Sequence, residues 1–155
     1  MLENGFERSG AQIVVFGNQE RPNLVSGGNS NPVSGTTAGC TGMPAGQKLG
    51  TPDRWFDPCQ FSVQPAGRFG NLGRDTLQGP KLITQDLAFL KKFSVGETRK
   101  LEFRWELFNL FNRANFDVPA FIDFLNATTI NANAGKITKT RTSSRQMQLA
   151  LKFIF

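Results

Sequence analysis

The residues that most often do chemistry are thinly supplied in this chain. It has no histidine, which removes Ser-His-Asp and Cys-His catalysis and every zinc site that needs an imidazole. Its two cysteines, Cys40 and Cys59, lack the CxxC spacing of a metal or redox motif, and the spacing leaves both a single disulfide and two free thiols open. Asp53 and Asp57 flank Trp55 and Phe56, an arrangement that could offer carboxylate oxygens to calcium or an aromatic face to a sugar. A solvated loop with an aromatic anchor accounts for the same residues more simply. The stretch GRFGNLG at 67–73 has the glycine content of a phosphate loop. No helical pattern follows it to supply an N-terminal dipole, and Gly79-Pro80 closes the segment, so a plain loop is expected. No catalytic residue, cofactor site or metal site is expected, and an enzyme would have to work without histidine and without paired carboxylates.

The 18 Lys and Arg against 12 Asp and Glu give a net charge of +6, and a nucleic-acid surface would gather such charge on one face with aromatic residues between. Here it is scattered. Lys91 and Lys92, Arg99 and Lys100, and Lys136, Lys139, Arg141 and Arg145 read as solvated strand ends and turns, and no nucleic-acid partner is expected.

What remains is the pattern of the elements. Of 155 residues, 16 are Gly, 8 Pro and 15 Phe, with no Tyr. Residues 17–80 hold 12 of the glycines and 7 of the prolines and show neither a period of 2 nor one of 3.6. They read as one long loop. From residue 81 the texture changes. Ile83, Leu87, Phe89 and Phe93 occupy odd positions and Thr84, Asp86, Ala88 and Lys92 even ones, with Gln85, Leu90 and Lys91 as exceptions. Next, Leu101, Phe103, Trp105 and Leu107 alternate with Lys100, Glu102, Arg104 and Glu106, and Met147, Leu149, Leu151, Phe153 and Phe155 alternate with Gln146, Gln148, Ala150 and Lys152. Alternation of this kind marks β-strands with two unlike faces. Over 99–112 a helix is the competing reading, since Leu101, Trp105, Phe108 and Phe111 also fit helical spacing. The pattern predicts an all-β fold: an antiparallel meander of about four strands near 6–16, 82–93, 99–112 and 145–155, with loops at 17–80 and 113–144.

The longest apolar run, Ile13 to Phe16, is far short of the ~18 residues of a membrane helix. Eleven residues of tilted strand, however, rise about 28 Å, enough to cross the ~25 Å apolar band of an outer membrane. A soluble sandwich would instead need about seven short strands at regular spacing. On the membrane reading Leu87, Phe89, Leu101, Phe103, Trp105 and Leu107 face lipid, while Asp86, Glu102, Arg104 and Glu106 face the lumen. The short connection at 94–98 then lies at the periplasmic rim and the long loops outside, an arrangement that cysteine labelling of intact cells reads directly. Turn chemistry suggests a loop Ser94-Val95-Gly96, which places Asp86 opposite Arg104 and Leu87 opposite Phe103. The opening MLENGFERSG has neither a basic segment nor an apolar one, so no signal peptide is expected on this chain.

With these residues in view the sequence resembles the C-terminal end of TonB-dependent outer-membrane receptors, most closely the Oar-like barrels with a carboxypeptidase-regulatory-like domain. The matching stretches are RPNLV at 21–25, TPDRWFDPCQF at 51–61, GRFGNLGRDTLQGP at 67–80, QDLAFLKKF at 85–93, LEFRWELFNLFNRANF at 101–116 and AGKITKTRTSSRQMQLALKFIF at 134–155. The resemblance implies a location in the outer membrane and a role in uptake of a large nutrient. It implies contact with membrane lipid, with the other strands and plug of a longer chain, and with TonB only through an N-terminal part. It also implies that Leu149, Leu151, Phe153 and Phe155 form the signal read by the barrel-assembly machinery. Four strands cannot close a barrel, so a fragment unable to transport alone is expected. The competing expectation is a soluble β-rich module that binds carbohydrate or nucleic acid through Trp55 and Phe56.

Overall fold

The computed structural model describes residues 13–15, 18–65 and 68–155. Along the chain run β1 (Ile13–Val15), β2 (Asn18–Glu20), β3 (Asn23–Leu24), a 3-10 turn (Pro58–Gln60), β4 (Phe61–Ser62), β5 (Leu87–Val95), β6 (Arg99–Phe108), β7 (Ile122–Asp123) and β8 (Gln146–Ile154). The fold is all-β, and the segment 99–112, where a helix competed, contains a strand. Of the strand expected over 6–16, residues 13–15 form β1; residues 1–12 and 16–17 lie outside the described residues. Two compact units divide the chain, one from residues 1–80 and 117–139, the other from 81–116 and 140–155.

The second unit is a three-stranded antiparallel sheet in the order β5-β6-β8. Its hairpin corrects the expected register. Leu87 pairs with Leu107, Phe89 with Trp105, Leu90 with Arg104, Lys92 with Glu102 and Val95 with Arg99. Asp86 therefore does not face Arg104, and Leu87 does not face Phe103. The turn is Gly96-Glu97-Thr98 rather than Ser94-Val95-Gly96, and Gly96 supplies the positive φ of 75° at its first position. This register moves β-branched Val95 out of the turn and into the ladder, where such residues fit best. It also sets Lys92 against Glu102, with Nζ 3.5 Å from the carboxylate. Because the slide is an even number of residues, both faces keep the composition read from the sequence. The strands are shorter than the alternation suggested: β5 starts at Leu87 instead of 82, and β6 stops at Phe108 instead of 112 because Asn109 turns to φ 53°.

In the first unit the described residues of 18–80 and 117–139 are mostly irregular chain, and they enclose a core of their own. Phe56, Leu77 and Ile122 are fully buried, and Met43, Phe61, Leu72, Phe124 and Ile130 complete one core with them. Phe56 and Phe61 meet edge to face with centroids 6.4 Å apart. Around this core the backbone is held by short ladders: β3 pairs with β4, and β1 lies between antiparallel β2 and parallel β7. Asp57 is buried, not solvated. Its carboxylate accepts from the N–H groups of Ala38 (3.0 Å) and Cys59 (3.1 Å) and from Gln60 Nε2 (2.9 Å), so it caps the 3-10 turn that Pro58 opens. Trp55 anchors the irregular segment before Pro80 by donating Nε1–H to Gln78 O at 2.8 Å. In GRFGNLG, Gly70 has a different task from phosphate binding: any Cβ there would collide with the backbone carbonyls of Arg21 and Pro22.

Cys40 and Cys59 are bonded, with Cα atoms 5.6 Å apart and a sequence separation of 19. Closing a loop of that length stabilises the folded unit by about 3 kcal/mol. The paired variant Cys40→Ser/Cys59→Ser is expected to lose about that much. Proteolysis within 21–80 under oxidising conditions should accelerate accordingly, and an unchanged cleavage rate would contradict the assignment.

Candidate functional site

The sheet of the second unit carries the feature that calls for a functional explanation. Cross-strand partners in an antiparallel sheet project to the same side, so the register sorts side chains into rows. From the turn outward, Val95 and Arg99 form the first row, and Phe93, Leu101 and Phe153 the second. Lys91, Phe103 and Leu151 form the third, Phe89, Trp105 and Leu149 the fourth, and Leu87, Leu107 and Met147 the fifth. Apart from Lys91 and Arg99 this face is wholly apolar. It is also largely uncovered: Phe89 is 52% exposed, Leu149 69% and Leu151 70%. A soluble protein rarely leaves a continuous apolar surface across three strands in water.

The opposite face is charged. Glu102 lies between Lys92 and Lys152, Arg104 pairs with Glu106 along the same strand, and Glu106 faces Gln148. The apolar residues on this side are Leu90, Phe108 and Ile154, with the small Ala88 and Ala150. Strands of 9, 10 and 9 residues match the ~9–11 residues that a tilted strand needs to cross a bilayer. No helix among the described residues is long and apolar enough to do so.

The residues singled out from sequence fall into this frame as follows. Leu87, Phe89, Leu101, Phe103, Trp105 and Leu107 share the apolar face, Leu107 being buried and Leu87, Phe89 and Trp105 exposed. Glu102, Arg104 and Glu106 share the charged face. Leu149, Leu151 and Phe153 line β8 on the apolar side, and Phe155 follows its last paired residue, 93% exposed. Asp86 stands apart, just before β5, where its Oδ1 accepts the N–H of Asn109 at 2.9 Å.

That contact belongs to a set of residues the alternation could not reveal. Asn109, Asn112 and Asn115, three residues apart, tie together the three chain segments at the end of the sheet opposite the 96–98 turn. Asn109 donates Nδ2–H to Arg113 O and Ser143 O, both at 3.0 Å, and accepts from Arg113 N–H at 2.9 Å. Asn112 Oδ1 accepts from Arg145 N–H at 2.9 Å. Fully buried Asn115 accepts from Ile83 N–H and donates to the Thr142 hydroxyl, each at 3.0 Å. Asn109 and Asn112 both hold positive φ, which Asn tolerates better than other residues with a Cβ. The signal lay in the spacing within NLFNRAN, where short amides recur just after a greasy strand. Asn109→Ala combines lost hydrogen bonds with left-handed strain and is expected to destabilise the sheet by about 2–3 kcal/mol. Asn109→Gly should recover the backbone part of that loss in the same denaturation measurement, and equal losses for the two variants would contradict the role of φ.

Among the described residues no group of three or more Cys, Asp or Glu is placed to hold a metal. In the first unit Arg54 is 2% exposed. It donates through Nη1 to Ala134 O, through Nη2 to Ala132 O at 3.1 Å and through Nε to Gln47 Oε1 at 3.1 Å. Burial pushes its pKa down, and the carboxylate of Asp57 pulls the other way. The group fastens three segments to one another.

An antiparallel sheet of membrane-length strands, greasy on one face and charged on the other, is the wall of a transmembrane β-barrel. The chain belongs to the outer membrane beta barrel domain family, whose model matches residues 6–148. No curated protein and no solved structure matches it. The family makes this an outer-membrane protein.

Proposed function

We propose that the chain forms part of the barrel of a TonB-dependent, Oar-like transporter that takes up a large nutrient, and that it carries no catalytic activity of its own. The observation that carries this reading is the one-sided alternation kept in register across β5, β6 and β8. The six matching stretches of sequence add the family resemblance. RPNLV, WFDPCQF and GRFGNLG supply the core, caps and close backbone contacts of the first unit, and FNLFNRANF supplies the asparagine lock of the second.

An open three-stranded sheet has two unpaired edges, and about eight strands are the least that close a barrel. The remaining strands and a plug therefore come from a longer chain. Membrane lipid covers the apolar face, and the assembly machinery reads Leu149, Leu151, Phe153 and Phe155. TonB acts through an N-terminal part. The transporter reading is tested with the full-length gene product and the purified periplasmic domain of TonB. Co-purification that survives washing supports it. A full-length protein that assembles in the outer membrane yet shows no TonB binding would remove TonB coupling and leave the barrel standing.

A further inference from the structure

The apolar face holds two cations, one in its central row and one in the row beside the 96–98 turn. Lys91 is in the third row and Arg99 in the first. All the carboxylates of the three strands, Glu102 and Glu106, project to the other face. Neither cation has an ion-pair partner among the described residues, where the ammonium and guanidinium pairs are those of Lys92, Arg104 and Lys139. A lysine facing acyl chains near the middle of a strand is costly, with the cost falling toward the interface. A long side chain lowers that cost by carrying its charge toward the interface. Lys91 Nζ stands 5.9 Å from the centroid of the Phe93 ring, one row nearer the turn, which is the direction in which a long cationic side chain reaches the headgroup layer. Arg99 is already at that level, across from Val95.

We infer that Lys91 and Arg99 bind the phosphate of an anionic phospholipid in the leaflet at the turn end, with its acyl chains lying over Phe93, Leu101 and Phe153. The occupant follows from charge complementarity. A second copy of this sheet apposed through the same face would bring two more cations and no carboxylate, so self-association leaves the charges unmet. A zwitterionic lipid offers phosphate with its charge already compensated. A phosphate ester beside apolar chains meets both cations and the greasy surface between them, with the guanidinium able to grip it through two parallel hydrogen bonds. The inference rests on the barrel-wall reading.

The test uses the full-length barrel that contains these residues, reconstituted in nanodiscs with equal amounts of dioleoyl phosphatidylglycerol and dioleoyl phosphatidylcholine. Lipids that stay bound are counted by native mass spectrometry. Correct assembly is checked separately by the mobility of unheated protein on a detergent gel. The wild-type barrel is expected to retain phosphatidylglycerol over phosphatidylcholine, and Lys91→Gln/Arg99→Gln to reduce that retention at least fivefold with unchanged gel mobility. Lys91→Arg should keep it. Equal retention of the two lipids by the wild type, or full retention of phosphatidylglycerol by the double variant, would overturn the inference while the barrel stands. A wild-type protein without the mobility shift would overturn the wall reading, and this inference with it.

Discussion

Phe103→Arg is expected to cost the assembled barrel about 4 kcal/mol, the upper end of the ~2–4 kcal/mol charged by a lipid-facing arginine at the bilayer midplane. Phe103 lies in the central row of the apolar face beside Leu151. Its ring also packs edge-on against Phe89 with centroids 6.5 Å apart, so the substitution removes an aromatic contact as it introduces the charge. Gln148→Arg, on the charged face across from Glu106, should cost less than about 1 kcal/mol, because a guanidinium there stays hydrated and near a carboxylate. Urea titrations of the two variants folded into lipid vesicles compare them on one scale. Losses of the same size would mean that the two faces meet the same solvent.

Arg54→Met should lower the stability of the first unit by about 3–5 kcal/mol, as happens when one member of a buried charged network is removed. The variant strands the carbonyls of Ala132 and Ala134 and the side-chain oxygen of Gln47, and it removes a positive charge that Asp57 attracts through space. Arg54→Lys should recover little, because an ammonium lacks the flat fork that reaches three acceptors at once. The readout is protease resistance of residues 21–80 and 117–139 with the disulfide intact. Unchanged resistance in Arg54→Met would show that the disulfide and the apolar core hold these segments without the guanidinium.

The contrast between these two sites shows what the sequence made legible. Membrane strands carry their environment in a period of two, so Phe103, Trp105, Leu149 and Leu151 could be sorted to one face from spacing alone. Register was harder. Candidate pairings of equal parity differ by only ~0.2–1 kcal/mol per pair, and the deciding residues were Val95, better suited to a ladder, and Gly96, able to open the turn. The end of β6 was invisible to periodicity because it depends on Asn109 adopting positive φ, and a hydrophobic pattern carries no record of backbone conformation. The first unit was least legible. Its core residues Met43, Phe56, Leu77 and Ile122 come from irregular chain with no period to betray burial, and Asp57 and Arg54 look solvated until the amides and carbonyls they satisfy are known. Composition rich in Gly, Pro and Asn indicated loops correctly as local conformation but not the packing those loops achieve.

A nitroxide scan of β8 tests the central claim most directly. Single cysteines are placed in turn at positions 147–153 of the full-length barrel in lipid vesicles, with Cys40 and Cys59 left bonded to each other. The account predicts strict alternation: labels at 147, 149, 151 and 153 relax with oxygen dissolved in the membrane, and labels at 148, 150 and 152 with a water-soluble nickel chelate. Uniform exposure to the chelate, or an alternation of opposite phase, would contradict the assignment of this sheet as the wall of a barrel with its odd-numbered face toward lipid.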